Sequence, residues 1–284
     1  MRSSEPLREY RFQQLDVFSA QPLRGNPLAV VHGADGLTDE RMAEFARWTN
    51  LSETAFLLAP TLPGADYRVR IFTPDRELPF AGHPTLGSCA AWLSAGGKPG
   101  RADEIVQQCG IGPVRLRHGS DGRLAFAAPP LLRSGPVDEV TLTRIAAALR
   151  IPLQDIVTSR WLVNGPRWVA VMLRTRDELL ALKPDFAAMG ELEIGAFAPV
   201  PEGDVLFEVR AFVPTLGVPE DPVTGSLQAG IGQWLIGEGL APSRYAAAQG
   251  TAMGRAGRVQ VERLGADIWI GGDTAMCIEG RVTI

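Results

Sequence analysis

Val69-Arg70-Ile71-Phe72-Thr73-Pro74 returns 140 positions later as Val209-Arg210-Ala211-Phe212-Val213-Pro214. A second echo follows: His83-Pro84-Thr85-Leu86-Gly87-Ser88 answers to Asp221-Pro222-Val223-Thr224-Gly225-Ser226, 138 positions on, with Pro, Gly and Ser in the same places. Both echoes run on to a Trp-Leu pair, Trp92-Leu93 and Trp234-Leu235. Upstream, Asn26-Pro27-Leu28-Ala29-Val30-Val31 sets against Gly165-Pro166-Arg167-Trp168-Val169-Ala170-Val171 at an offset of 139. Three matches in one order at nearly one offset indicate an internal duplication. The chain therefore divides into residues 1–128 and 129–284, at the Pro/Gly-rich stretch Ala127 to Pro136, with the C-terminal strand free to return to the first half.

Local patterns place these motifs. Tyr67 to Phe72, Val205 to Phe212, Trp168 to Leu173, Arg258 to Val261 and Ile268 to Ile270 alternate or cluster apolar and β-branched residues and read as strands. After each His/Asp-Pro-x-x-Gly-Ser motif comes a run poor in charge, ended by Gly96-Gly97 in one case and Gly237 in the other. An uncharged helix of this kind is buried on most sides. Thr38 to Trp48 and Thr141 to Leu149 mix charge with apolar spacing behind a Thr and read as amphipathic surface helices. Each half is then a curled sheet around one buried helix, with another helix outside.

The start of a buried helix presents free backbone N–H groups and a positive dipole end, which together hold an anion. Two such starts related by duplication would face each other across a cleft, placing Gly82 and His83 on one side of a carboxylate and Thr224, Gly225 and Ser226 on the other. The ionisable residue differs between the echoes, His83 in one and Asp221 in the other, which suits asymmetric acid–base chemistry. Taken singly, Asp before Pro reads as a helix cap, and a lone His as a structural hydrogen-bonding residue. Pairing by the repeat moves both towards function. Glu53, in Asn50-Leu51-Ser52-Glu53-Thr54-Ala55-Phe56, leads into an apolar strand. Spacing alone leaves it a turn or cap residue, although a carboxylate held in an apolar cleft has the raised pKa a proton shuttle needs.

Composition narrows the alternatives. In 284 residues, 45% are apolar and 21% charged, enough for two cores. A net charge of -4 and no Lys/Arg run argue against a nucleic-acid partner. Met1 to Arg11 is polar where a signal peptide is apolar, and no apolar run nears a membrane span, so a cytoplasmic protein is expected. Cys89, Cys109 and Cys277 are odd in number and scattered, against a disulfide framework or structural zinc. The three His residues, His32, His83 and His118, lie far apart, and no Walker, Gly-x-Gly-x-x-Gly or Gly-x-Ser-x-Gly motif occurs, so no metal or cofactor is expected.

Leu15-Asp16-Val17-Phe18, Gly25-Asn26-Pro27-Leu28-Ala29-Val30-Val31, Leu51-Ser52-Glu53-Thr54, Pro79-Phe80-Ala81-Gly82-His83-Pro84-Thr85-Leu86-Gly87 and Glu220-Asp221-Pro222-Val223-Thr224-Gly225-Ser226 resemble, in order, the motifs of the PhzF family. The likeness runs from about Phe12 to the C-terminus and takes in Gln249-Gly250 and Met253-Gly254-Arg255. It implies the α+β diaminopimelate epimerase-like fold, with two pseudo-symmetric halves, each a barrel-like sheet around a central helix, and a homodimer. It also implies a cofactor-independent isomerase that moves a proton within a small cyclic or unsaturated carboxylic acid, as in trans-2,3-dihydro-3-hydroxyanthranilate isomerisation. By the resemblance Glu53 carries the proton, His83 and Asp221 assist, and Gly225 and Ser226 help hold the carboxylate. A pyridoxal-phosphate-independent epimerase or racemase and a non-catalytic small-acid binder are the alternatives. The first is disfavoured because no Cys falls at the two helix-opening positions. Leu227 and Ala256 depart from the family's usual small residue and Pro; the former either narrows the pocket or repacks the helix.

Overall fold

The computed structural model describes residues 7–119, 121–214 and 218–284; Met1 to Pro6 of the polar N-terminal stretch lie outside them. The first half contains β1 (Glu9–Val17), β2 (Asn26–Val31), α1 (Asp39–Thr49), β3 (Thr54–Leu58), β4 (Tyr67–Phe72), β5 (Glu77–Leu78), α2 (Gly82–Ser94), β6 (Ile105–Cys109), β7 (Gly112–His118) and β8 (Leu124–Ala127). The second half opens with β9 (Arg133–Gly135), α3 (Glu139–Leu149), β10 (Thr158–Val163), β11 (Trp168–Met172), α4 (Arg176–Ala181), α5 (Phe186–Met189) and β12 (Glu193–Pro199). It continues through β13 (Phe207–Phe212), β14 (Glu220–Asp221), α6 (Gly225–Gly237), β15 (Arg244–Gln249), β16 (Gly257–Leu264) and β17 (Asp267–Gly272), and β18 (Thr274–Thr283) comes last.

Strand pairing repeats element for element. β2 runs parallel to β3, β3 antiparallel to β4, β4 parallel to β6, and β6, β7 and β8 follow antiparallel. β11, β12, β13, β15, β16 and β17 reproduce that series, from the parallel β11–β12 pair to the antiparallel β16–β17 pair. The two sheets are continuous through an antiparallel β8–β17 contact. β18 pairs antiparallel along all of β1, Glu9 opposite Thr283 and Val17 opposite Thr274, with a bulge at Gln14/Leu15. It thereby takes the place beside β1 that β9 takes beside β10.

Each sheet curls around its uncharged helix. α2 packs on β1, β2, β3, β4 and β8, and α6 on β10, β11, β16 and β17. Both helices are buried over most of their length, as an apolar surface on all sides requires. α1 is instead amphipathic, its stripe Met42, Phe45 and Ala46 covering Phe56 and Phe72, with Thr38 accepting the Arg41 N–H at its start. α3 begins at Glu139 rather than Thr141, because the Asp138 carboxylate caps it by accepting the Thr141 N–H at 2.9 Å.

The structure re-registers the second echo. Phe72 pairs with Glu77 and Phe212 with Glu220, so the segment joining β13 to β14 is three residues longer than the one joining β4 to β5. From there the offset is 143, and Glu77-Leu78-Pro79-Phe80-Ala81-Gly82-His83 matches Glu220-Asp221-Pro222-Val223-Thr224-Gly225-Ser226. Both helices open at the Gly of this heptad. His83 is therefore the counterpart of Ser226, and Asp221 of Leu78; Asp221 lies on β14, not at the head of α6. The Trp-Leu pairs fall out of register likewise. Arg70–Glu77 and Arg210–Glu220, at 2.6 and 2.7 Å, are the same ion pair in the two halves.

The two departures from the family pattern resolve differently. Leu227 is fully buried against Gly195, where a Cβ would lie 2.4 Å from its Cδ1. It repacks the helix against β12 and does not line the cleft. Ala256 donates its N–H to the Arg24 carbonyl at 2.7 Å, a bond between the halves that Pro could not make.

Candidate active site

The starts of α2 and α6 meet head to head. A Cβ on Gly82 would sit 2.7 Å from the Gly225 Cα and 2.8 Å from the Ser226 N, and a Cβ on Gly225 3.1 Å from the Gly82 Cα. Only glycine permits backbones this close. Neither helix has a side-chain cap. Thr224 stands at the cap position of α6, but its hydroxyl donates to Asp221 Oδ2 at 2.5 Å instead. Two positive dipole ends and two sets of unspent N–H groups are thus held together, an arrangement that a bound anion stabilises.

Around this point the structure gathers Glu53, His83 and Asp221. His83 rides the first turn of α2, and its Nε2 lies 3.5 Å from Oε2 of Glu53, which immediately precedes β3. Both atoms are buried without a hydrogen-bond partner. Asp221 is tied from both sides: Asn26 Nδ2 donates to its Oδ1 at 2.8 Å and Thr224 to its Oδ2. Gln249 locks the same corner by accepting the Thr224 N–H at 3.0 Å and donating to the Thr224 hydroxyl and the Asp221 carbonyl. Ser226 Oγ accepts from Trp168 Nε1 at 3.0 Å, which leaves its hydroxyl hydrogen for a ligand.

Burial decides the protonation states. It pushes the Glu53 carboxyl up to about 8, helped by the neighbouring Asp221 charge and opposed by a hydrogen bond from Ser52. Burial also raises Asp221, to about 6, against the Thr224 and Asn26 donors. His83 is driven down to about 3 by burial, with the Pro27 carbonyl as its opposing hydrogen-bond partner. The Glu53–His83 contact is therefore not an ion pair at neutral pH. It joins a largely protonated carboxyl to a neutral imidazole.

The duplication explains why Glu53 is free. Thr54 faces Phe72 and Ala29, and Ile194 faces Phe212 and Val169, so Glu193 is the counterpart of Glu53 and Arg167 of Pro27. Glu193 is also buried, yet it accepts the Arg167 backbone N–H. Pro27 has no N–H to offer, and Glu53 Oε2 remains available to another partner.

These groups line a cavity enclosing about 30 Å³, room for one or two waters. Its lining combines the polar Glu53, His83, Asp221 and Ser226 with the apolar Leu78, Pro166, Trp168, Val213 and Val218. Gly82, Thr224 and Gly225 line it as well. All seven residues singled out in the sequence therefore converge. Asn26 and Gln249, both buried, were quoted there only as parts of motifs; the signal for Asn26 was its place just before the Pro27 of a duplicated strand. Among the described residues no group of three His, Cys, Asp or Glu side chains is placed to hold a metal ion, and no helix is long and apolar enough to cross a membrane.

The family model for phenazine biosynthesis-like protein, PhzC-PhzF, matches residues 15–280. The chain belongs to this family. It is 34% identical to antisense-enhancing sequence 1 of Schizosaccharomyces pombe, covering 97% of this chain and 99% of that one. It is 33% identical to trans-2,3-dihydro-3-hydroxyanthranilate isomerase of Pseudomonas aeruginosa, covering 96% and 99%. The crystal structure of a PhzF-family phenazine biosynthesis protein from Bacillus anthracis superposes with a TM-score of 0.84 at 23% identity, covering 98% and 100%. The fold is the α+β diaminopimelate epimerase-like one, and as a PhzF-family member the protein is an isomerase.

Proposed function

We propose that the protein moves a proton between two carbons of a small cyclic or unsaturated carboxylic acid, with Glu53 as the carrier. The observation behind this reading is the free, buried Glu53 carboxyl beside two uncapped helix starts. With the cleft opened beyond its room for one or two waters, the substrate carboxylate rests on the N–H groups at Gly82, His83, Gly225 and Ser226, and its carbon skeleton lies on the Leu78, Trp168 and Val213 wall. Ionised Glu53 removes a proton from one carbon, the double bonds shift, and the resulting Glu53 carboxyl returns the proton to another carbon. Atoms and charge balance without a second reagent. His83 Nε2, 3.5 Å from Glu53 Oε2, takes a hydrogen bond from the protonated Glu53 carboxyl when the two close up in the complex, and anionic Asp221 keeps the proton from settling elsewhere. Exclusion of water preserves that proton between the two steps. The relative named for trans-2,3-dihydro-3-hydroxyanthranilate makes that compound the first substrate to try.

The test is turnover of trans-2,3-dihydro-3-hydroxyanthranilate and related cyclic unsaturated acids in D₂O, followed by NMR. Glu53→Gln should lose about 10²–10⁴-fold in kcat, the usual worth of a positioned acid–base group, while still binding the acid. In the wild type kcat/KM should rise with pH towards about 8, as Glu53 ionises. Wild-type turnover by Glu53→Gln would remove Glu53 as carrier, and binding without turnover by the wild type across the panel would favour a small-acid binding protein.

A further inference from the structure

Asn26 is fully buried on β2 in the first half, and its amide nitrogen has three neighbours: Asp221 Oδ1 at 2.8 Å, the Val223 carbonyl at 2.9 Å and His83 Nδ1 at 3.2 Å. An amide NH₂ has two hydrogens. The two oxygens are nearer and are acceptors only, so they take both. His83 Nδ1 is then left without a donor facing it and keeps its own hydrogen, with the Pro27 carbonyl as the ring's backbone acceptor. With Nδ1 protonated, Nε2 carries the lone pair, 3.5 Å from Glu53 Oε2.

We propose that Asn26 is the positioning residue of this site: its amide commits one hydrogen to Asp221 and the other to Val223, holding Asp221 as the anion and His83 as the Nδ1–H tautomer. The mobile proton is thereby assigned to Glu53, whose Oε2 lies 3.5 Å from His83 Nε2. The inference deepens the proton-transfer reading of the site and rests on it for its use. Two buried carboxyls whose charges act on one another, as Asp221 acts on Glu53, keep one proton between them, and donors on one member decide which holds it. Asp221 receives donors on both oxygens, from Asn26 and Thr224. Glu53 has Ser52 as its one donor, and its Oε2 receives none.

The other charged groups around the site leave the assignment intact. Glu220, next to Asp221, is engaged by Arg210 at 2.7 Å, and Asp16, on β1 beside β2, accepts the Gly25 N–H at 2.9 Å. Asn26 is also where the halves are joined. The neighbouring backbone bonds, Ala256 N–H to Arg24 O at 2.7 Å and Arg258 N–H to Phe18 O at 2.8 Å, cross between the halves. The Asn26 contacts therefore sit on the seam between the halves.

The experiment needs no substrate, so its outcome is separable from the proposed activity. Carboxyl-¹³C and imidazole-¹⁵N NMR would follow Glu53, Asp221 and His83 from pH 5 to 9, with Glu53→Gln and Asp221→Asn assigning the carboxyl signals. In the wild type Asp221 should titrate below Glu53, and His83 should show the Nδ1–H tautomer throughout. In Asn26→Ala the Asp221 midpoint should rise by about one to two pH units, the usual effect of losing a donor to a carboxylate, and the His83 tautomers should mix. In Thr224→Val, Asp221 should rise while His83 keeps its tautomer, which separates the Asn26 role from general loss of hydrogen bonding. A purely structural Asn26 would lower the melting temperature and leave both readouts unmoved, overturning the proposal. Should Asn26→Ala not fold, the wild-type spectra alone decide: an Nε2–H tautomer, or Asp221 titrating above Glu53, overturns it.

Discussion

Glu53 folds into a place that resists its charge. Its carboxyl moves from an ordinary 4.5 up to about 8 because burial removes water and Asp221 adds like charge. Between those two values the native state binds more protons than the unfolded chain, so stability must fall as pH rises through the interval. The contribution is intact below the unfolded pKa and lost as pH climbs through the folded one. Glu53→Gln, which cannot ionise, should therefore melt higher than the wild type at pH 9 and close to it at pH 5, in thermal scans by circular dichroism. Equal melting at pH 9 would mean that Glu53 ionises without penalty and that the cleft is wetter than its 30 Å³ cavity allows. Asp221 acts in the same direction over a lower interval, since burial raises it only to about 6. His83 acts oppositely, being held below its ordinary value, so stability rises with pH between about 3 and 6.5.

At the scale of elements, the site is the junction of two helix starts, and glycine is what lets them join. Gly82→Ala would place a Cβ within 2.8 Å of the Gly225 and Ser226 backbone, and backbone atoms cannot rotate out of the way as a side-chain tip can. The expected result is a lower melting temperature together with weaker protection of the protein by small carboxylic acids in thermal-shift titrations. Gly64→Ala serves as the control, since nothing lies near a Cβ there and any strain is local to its turn. Unchanged acid binding by a folded Gly82→Ala protein would detach the anion from the helix junction. The sequence carried much of this. Strand β4 is where its alternation placed it, and the uncharged runs are the two buried helices. The register of the second echo is not legible in sequence because Pro, Gly and Ser recur at an offset of 138 by coincidence, while the true heptad at 143 is marked by Glu77 and Glu220, whose Arg partners only folding reveals. Glu53 could not be told from a turn residue by spacing, since its distinguishing feature is a donor missing from Pro27, on a different strand. Asn26 stayed hidden for a similar reason: its partners lie 57 and 195 residues away in the chain.

At the scale of the whole molecule, the chain closes on itself. β18 supplies β1 with its outer partner along its full length, and Arg8 and Ile284 exchange backbone bonds at 2.9 Å in both directions. The last strand thus belongs in space to the first half, although it follows the second in sequence. What the fold requires is the pairing of β18 with β1, not the order in which the chain supplies them. A circular permutant that links Ile284 to Leu7 through a short Gly/Ser loop and opens the chain between residues 128 and 129 keeps every strand pair. It also makes the first half, with β18, contiguous. It should melt cooperatively within about 5 °C of the parent, a change of one or two kcal/mol for a protein of this size. Deleting residues 274–284 from the parent should instead strip β1 of its partner, expose backbone donors and acceptors along a nine-residue strand, and abolish the cooperative melt. The opening point lies in the Pro-rich connection between β8 and β9, so the permutant also tests where the halves divide. If cutting there unfolds the protein while the truncated parent melts normally, the seam lies elsewhere and β18 is an accessory. A folded permutant beside an unfolded truncation fixes both the seam and the exchange of the last strand.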